Sequence, residues 1–173
     1  MEAANFGSAL SSYDDEALEA ALLALAAVPS FRPSIARWAS TGLAVRRQYP
    51  GDGGISIPTW FYGHEPPNVF ASGIAKYFSN ALREDVLLSR ARGGILYLPG
   101  AAGTVQEIFQ AVTPNYYGDR ATQVPMILVG VQHWSEKLPV WDVLQRLASG
   151  RAMAASICLV DSIEEAAKLI SGG

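Results

Sequence analysis

The feature that most constrains the fold is an alternation of short apolar runs with helical segments, which begins at residue 55 and occurs four times. The runs are almost continuously apolar, as in 125–131 (PMILVGV). Strands of this kind are buried on both faces, as in a parallel sheet covered by helices. The alternation therefore predicts an α/β fold with an open, doubly wound parallel sheet and helices on both faces.

The predicted strands cover 55–61, 95–98, 125–131 and 157–160, and the helices that follow them cover 71–90, 104–112, 138–148 and 162–170. The first of these helices is expected to bury an apolar face that includes Ile74 and Phe78. The last begins with a capping box, in which Ser162 caps the helix and Glu165 reaches back. Two further helices, 12–27 and 35–46, are predicted within a helical insertion at about 11–54.

A chain of 173 residues, of which 50% are hydrophobic and 17% charged, suffices for one domain, 1–173, with a sizeable core. The formal net charge of −3 argues against binding to a nucleic-acid polymer. No run approaches the roughly 20 apolar residues of a membrane span, and we see no signal peptide. A lone cysteine, Cys158, and two histidines make a protein-built metal site unexpected. We expect a cytoplasmic protein that needs no metal or redox cofactor.

The stretch Gly94–Glu107 is predicted to carry the chemistry. It reads as a short strand, the N-terminus of a helix, and between them a turn of small residues, Gly100, Ala101, Ala102 and Gly103. Free backbone N–H groups and the positive end of the helix dipole meet at such a turn, which holds phosphate in many α/β folds. The turn also follows the carboxyl end of a strand, where open sheets bind ligands. An ordinary turn whose small residues serve packing is an equally open interpretation.

Thr104 and Glu107 support two interpretations. Their Thr-x-x-Glu spacing is that of a capping box, which needs no ligand. However, Glu107 lies roughly opposite the apolar stripe of its helix, at 3.6 residues per turn. That stripe consists of Val105, Ile108, Phe109 and Val112. Glu107 is therefore predicted to be available to a ligand or a partner subunit.

The predicted helix over 71–90 places Lys76, Asn80 and Arg83 on one face, at positions i, i+4 and i+7. A solvated face is the ordinary interpretation of such a pattern. The functional interpretation is an arginine aimed at the phosphate or leaving group of a ligand held by the next turn. The helix leads directly into the strand that carries the Gly-rich turn, which makes this proximity plausible.

The loop after the first predicted strand contains three aromatic residues and then His64–Asn68 (HEPPN). The aromatic rings could stack on a base, and Glu65 and Asn68 could bond to a ribose or a base. A rigid Pro-containing loop packed on the sheet is the alternative. The segment 115–123 is predicted to be a surface loop rather than a lid, and His133 is predicted to be structural.

The turn Pro99–Glu107 (PGAAGTVQE) resembles the Pro-Gly-Gly-x-Gly-Thr-x-x-Glu signature of the LONELY GUY (LOG) family. These cytokinin-activating phosphoribohydrolases have long been misannotated as lysine decarboxylases. The segment His64–Asn68 is similar to His-Glu-Gln-x-x-Asn in bacterial members, and the resemblance covers most of 55–131. It implies a Rossmann-like fold, a homodimer or larger homo-oligomer, and hydrolysis of nucleoside 5′-monophosphates to a free base and ribose 5-phosphate.

The resemblance also implies roles for single residues. The turn from Gly100 to Thr104 would bind phosphate, Glu107 and Arg83 would be catalytic, and the remaining nucleotide contacts would come from Asn80, Glu65 and Asn68. Two positions depart from the family pattern: Ala101 replaces a glycine, and Glu84 replaces the lysine of an Arg-Lys pair.

These departures keep a second function open, a non-catalytic nucleotide-binding or cofactor-carrier protein. Lysine decarboxylation is rejected, because none of the three lysines (Lys76, Lys137 and Lys168) has a recognisable pyridoxal-phosphate setting. The first residues, Met1–Asn5 (MEAAN), resemble the segment that follows a first Gly-rich turn in bacterial relatives. The strand and turn that precede it there are absent, so we expect that this chain begins inside the domain.

Overall fold

The computed structural model describes residues 15–51, 53–58, 66 and 68–171 of the chain. They form two compact units, which divide between Asp85 and Val86. In the described ranges, no helix is long and apolar enough to cross a membrane. The predictions for residues 1–14 and for Glu65 lie outside the described residues. In chain order the elements are α1 (Asp15–Ala26), α2 (Ile35–Gln48), β1 (Ile55–Ser56), β2 (Gly73–Ile74), α3 (Asn80–Arg90), β3 (Ile95–Tyr97), α4 (Ala102–Tyr117), β4 (Met126–Val129), α5 (Val140–Ala148), β5 (Ile157–Val160) and α6 (Ile163–Ser171).

In the first unit, helix α2 confirms the predicted helix at 35–46. The side chain of Ser34 caps it, since its Oγ accepts a backbone N–H of the first turn at 3.2 Å. The helix packs on the chain before β2, where a Cβ on Gly42 would lie 2.8 Å from a methyl group of Val69. Nη1 of Arg46 donates to the carbonyls of Val69 and Ala71, both at 3.0 Å. These contacts fix the segment that leads into β2.

The predicted helix over 71–90 is wrong in its first half, because α3 begins only at Asn80. Residues 73–74 form β2, which pairs in parallel with β1. Further parallel bonds of 2.9–3.1 Å flank the pair, from the N–H groups of Ser72, Ala75 and Tyr77 to the carbonyls of Gly54, Ser56 and Pro58. Bonds to a neighbouring strand thus outweigh the helical spacing of the apolar residues. As a result, Ile74 and Phe78 are 54% and 73% exposed, not buried as predicted.

The second unit contains a three-stranded sheet in the order β3-β4-β5, with all strands parallel. Each strand is followed by a helix. This confirms an α/β fold with parallel strands, which is consistent with a Rossmann-like arrangement. Strand β5 has the predicted bounds, but β3 and β4 are shorter than the apolar runs predicted, because residues at the ends of those two runs belong to the turns. Thus β4 covers Met126–Val129 where 125–131 was predicted.

Both faces of this sheet are covered by helices. Successive side chains of a strand point to opposite faces. Met126 and Leu128 accordingly belong to a core cluster with residues of α4 and α5. Ile127 and Val129 belong to a second cluster, which includes Ala166 of α6. This explains why the run is continuously apolar.

Helix α4 differs from its prediction at both ends. It begins at Ala102 after Ala101, so Thr104 lies inside the first turn and does not cap the helix. It continues through Pro114 to Tyr117, into the segment predicted to be a loop. Asn115 explains this continuation: its buried amide donates to the Val124 carbonyl at 2.8 Å and accepts from the Val124 N–H at 2.9 Å. Asn115, the first residue of that predicted loop, is therefore part of the core.

The predicted cap of the last helix is confirmed. Ser162 Oγ accepts from the Glu165 N–H at 3.1 Å, as a capping box requires. The carboxylate of Glu165 reaches back one residue further than predicted, to the N–H of Asp161 at 3.1 Å. This local pattern is readable from sequence because it involves only neighbouring residues.

Candidate functional site

The Gly-rich turn links β3 to α4 at the carboxyl end of the three-stranded sheet. The first bond of the helix runs from the Val105 N–H to the Ala101 carbonyl, at 3.0 Å. Within the described part of the chain, the N–H groups of Ala102, Gly103 and Thr104 find no backbone acceptor. Unpaired N–H groups at a helix N-terminus attract anions, because the helix dipole adds to their partial positive charge.

The two glycines of this turn serve different purposes. A Cβ on Gly100 would lie 2.1 Å from Thr104 Oγ1 and 2.7 Å from Thr104 Cβ. Gly100 is therefore required because Thr104 packs against it. By contrast, a Cβ on Gly103 would have no atom within 4 Å. Gly103 borders open space, where a ligand could approach the backbone.

The segment after β4 closes over this turn. Gly130 has a φ of +100°, which favours glycine, and a Cβ there would lie 3.2 Å from the Pro99 ring. Beyond it, Nε2 of His133 lies 2.9 Å from the carbonyl oxygen of Gly100. His133 was predicted to be merely structural, and the structure places it against the candidate site. No sequence pattern pointed to this contact, because the Gly100 carbonyl lies 33 residues earlier in the chain.

The end of β5 joins the same edge of the sheet. Asp161 follows β5 directly, and its Oδ1 accepts the N–H of Val131 at 2.8 Å. The N–H of Gly130 donates to the Val160 carbonyl at 2.7 Å. The turns after β3, β4 and β5 are thus tied to one another. Sequence reasoning missed Asp161, although an acid after the last apolar run was visible.

Tyr97, the last residue of β3, carries a buried hydroxyl with no hydrogen-bond partner in the described part of the chain. Only 4% of this residue is exposed. Burial raises the pKa of the Tyr97 hydroxyl well above its usual value, and the negative charge of Glu107 raises it further. The charge of Glu107 is therefore felt by the Tyr97 hydroxyl at the end of β3. The apolar stripe of α4 packs into the core as predicted, and Glu107 is half-buried.

In the first unit, Arg83, Asn80 and Glu84 form one network at the start of α3. Arg83 donates to Asn80 Oδ1 from Nε at 3.2 Å and from Nη2 at 2.7 Å. Glu84 Oε1 accepts from Asn80 Nδ2 at 2.5 Å and from Arg83 Nη2 at 3.4 Å. Glu84 is only 1% exposed. Glu84, the carboxylate that stands where the family pattern has a lysine, is thus buried and paired with Arg83.

Asn68 lies in another part of the first unit. It lines a cavity of about 360 Å³ with Arg46, Tyr49, Phe70 and the residues that precede β1. Because the cavity adjoins the chain before β1 and before β2, it lies at the amino edge of that strand pair. Asn68 was predicted at a carboxyl edge. The difference arises because the chain must return to the amino edge before β2 can run parallel to β1.

The predicted site residues fall into two groups, one in each compact unit. The turn from Gly100 to Thr104 and Glu107 belong to the second unit, and Asn80 and Arg83 to the first. The combination of Arg83 and Glu107 in one site stays a prediction. Across the described residues, no group of three or more His, Cys, Asp or Glu side chains could hold a metal ion.

Comparison with known families gives one match. Residues 52–170 match the family described as "Possible lysine decarboxylase". The chain belongs to this family. It is the LOG-like family that the turn Pro99–Glu107 resembles, and the match includes the whole three-stranded sheet and α3. Helices α1 and α2 precede the part that the LOG-like family shares. Among curated proteins, none matches the chain.

Proposed function

We propose that this LOG-like protein binds a nucleoside 5′-monophosphate and hydrolyses its N-glycosidic bond, releasing a free base and ribose 5-phosphate. The observation that carries the proposal is the Gly-rich turn, where the N–H groups of Ala102, Gly103 and Thr104 find no backbone acceptor among the described residues and Gly103 borders open space. Such an arrangement favours an anion such as phosphate, because the backbone N–H groups and the helix dipole supply the positive charge and no cationic side chain is needed. Family membership and the position of Glu107 on the same helix support the second part of the proposal, hydrolysis of the N-glycosidic bond.

Hydrolysis would pass through a ribosyl cation-like transition state, as in glycoside hydrolysis. A carboxylate close to the ribose stabilises the positive charge that develops there. Glu107 would take this role, with the phosphate held one turn earlier on the same helix. Arg83 would assist the departing base or hold the phosphate, and Asn80 would hold Arg83 in position through the two bonds to its Oδ1.

The decisive experiment incubates the purified chain with AMP, GMP, CMP and UMP and measures ribose 5-phosphate. We expect product from at least one nucleotide. Glu107→Gln removes the charge but little volume, and should lower kcat by roughly 100-fold or more. Glu19→Gln on α1 is the matched control, because Glu19 is an exposed carboxylate. Absence of product from every nucleotide, or full activity in Glu107→Gln, would refute the catalytic assignment.

One observation favours the second candidate function, a nucleotide-binding protein without turnover. The guanidinium of Arg83 is engaged by Asn80 and by the buried carboxylate of Glu84, so its charge is compensated within the protein. Calorimetric titration with AMP distinguishes the two functions. Saturable binding without any release of ribose 5-phosphate would support the non-catalytic protein.

A further inference from the structure

The side chain of His133 is held in a single orientation. Its Nε2 lies 2.9 Å from the Gly100 carbonyl oxygen. A carbonyl oxygen only accepts, so Nε2 carries the proton and donates. On its other side, the ring meets the ring of Trp134 edge-on, with centroids 4.6 Å apart. Trp134 is fully buried and anchored through its Nε1, which donates to the Val129 carbonyl at 3.0 Å.

This bond fixes one peptide plane of the Gly-rich turn. The peptide between Gly100 and Ala101 is trans, as are all others described except Arg32–Pro33. In a trans peptide, the C=O and the following N–H point in opposite directions. A Gly100 carbonyl held toward His133 therefore turns the Ala101 N–H away from His133. Ala101 is the residue immediately before α4. Within the described residues its N–H finds no backbone acceptor, and neither do the first N–H groups of the helix.

We propose that His133 is a positioning residue, which keeps the Ala101 N–H available to the phosphate at the Gly-rich turn and the Gly100 carbonyl away from it. The inference rests on the proposed function in one respect, that the turn binds phosphate. Without the donor, the peptide can rotate and present a carbonyl oxygen to the anion. Phosphate binding then loses one donor and gains a repulsive dipole.

Two variants separate this role from simple packing. His133→Phe keeps an aromatic ring beside Trp134 but has no donor. His133→Gln keeps an N–H donor, because its Nε2 stands as many bonds from the Cα as Nε2 of histidine does. The matched control is Gln132→Ala, since Gln132 is exposed and adjacent.

The experiment measures the Kd of each variant for ribose 5-phosphate by calorimetry and follows the backbone amide of Ala101 by NMR. His133→Phe should bind about tenfold more weakly or worse, His133→Gln within about threefold of the wild type, and Gln132→Ala unchanged. The Ala101 amide resonance should shift with phosphate in the wild type and His133→Gln only. Thermal unfolding of each variant verifies that it is folded.

The outcomes distinguish two failures. If the wild type binds no ribose 5-phosphate, the phosphate site on which the proposed function rests fails, and this inference fails with it. If the wild type binds but His133→Phe binds equally well, the inference alone is overturned. Equal weakening of His133→Phe and His133→Gln would also overturn it, since a donor would then not be the property that matters.

Discussion

Substituting each glycine of the Gly-rich turn by alanine tests the site most sharply, because one change should affect stability and the other binding. For Gly100→Ala, the new Cβ would lie 2.7 Å from Thr104 Cβ and 2.1 Å from Thr104 Oγ1. Rotation of the Thr104 side chain relieves only the second clash, since Cβ is fixed to the backbone. Gly100 does not have a positive φ, so the cost is steric alone.

The magnitude follows from the first clash. Carbon atoms in contact are about 3.5–4.0 Å apart, so the two Cβ atoms must separate by roughly 0.8 Å or more. Overpacking of this kind costs about 1–3 kcal/mol, which we expect as the loss in the free energy of unfolding. Adding Thr104→Gly removes the clashing Cβ and should recover part of the loss. Equilibrium urea unfolding at constant m-value measures both.

Gly103→Ala should behave in the opposite way. Its Cβ meets no atom within 4 Å, and alanine is favoured over glycine within a helix by about 1 kcal/mol. Stability should therefore be unchanged or rise by up to about 1 kcal/mol. The methyl group nevertheless enters the space proposed for phosphate, so the Kd for ribose 5-phosphate should rise about tenfold or more. Unchanged phosphate binding in Gly103→Ala, or an undiminished stability of Gly100→Ala, would refute the reasoning.

Two further predictions concern buried polar groups. Tyr97→Phe should leave stability near pH 7 unchanged or raise it by about 1 kcal/mol, because the hydroxyl has no partner among the described residues. Since the pKa of Tyr97 is raised in the folded protein, the wild type should lose stability as the pH rises above about 10, and urea unfolding should show a smaller loss in Tyr97→Phe. Equal alkaline losses would contradict this. Glu84→Ala leaves Arg83 and Asn80 without the carboxylate and should cost about 3 kcal/mol in unfolding free energy, with Glu19→Ala as the exposed control.

Sequence reasoning succeeds here where a pattern is local or where burial is uniform. The strand at 126–129 was predictable because it is apolar on both faces, and the structure packs helices against each face. The cap formed by Ser162 was predictable because its partner, Glu165, is three residues away. Both features depend on neighbours in sequence or on burial alone.

Sequence reasoning fails where a segment distant in sequence determines the local structure. The apolar spacing at 71–78 fits a helix, but the parallel bonds to 54–58 convert it into strand β2 and its flanks. Asn115 looked like part of a polar loop because its partner, Val124, is nine residues away across a turn. Glu84 was recognised only as a departure from an Arg-Lys pair, because its burial and its pairing with Asn80 cannot be seen in a helical pattern.

The same limit applies to the candidate site. The Gly-rich turn was visible in the sequence, and so were the residues that the resemblance assigns to it. The role of Thr104 was not, since it packs against Gly100 and does not cap the helix. His133 was set aside because a lone histidine beside a tryptophan carries no pattern that points to a turn 33 residues earlier.

The bond between His133 and Gly100 also has a consequence for how the protein is made. The backbone hydrogen bonds of helix α4 join residues four apart, so they involve only nearby parts of the chain. The peptide at Gly100 can reach its final orientation only after β4 has docked beside β3 and His133 has been synthesised, 33 residues later. A ribosome-bound or truncated chain that ends before residue 130 therefore contains the complete Gly-rich sequence but lacks the contact that orients it.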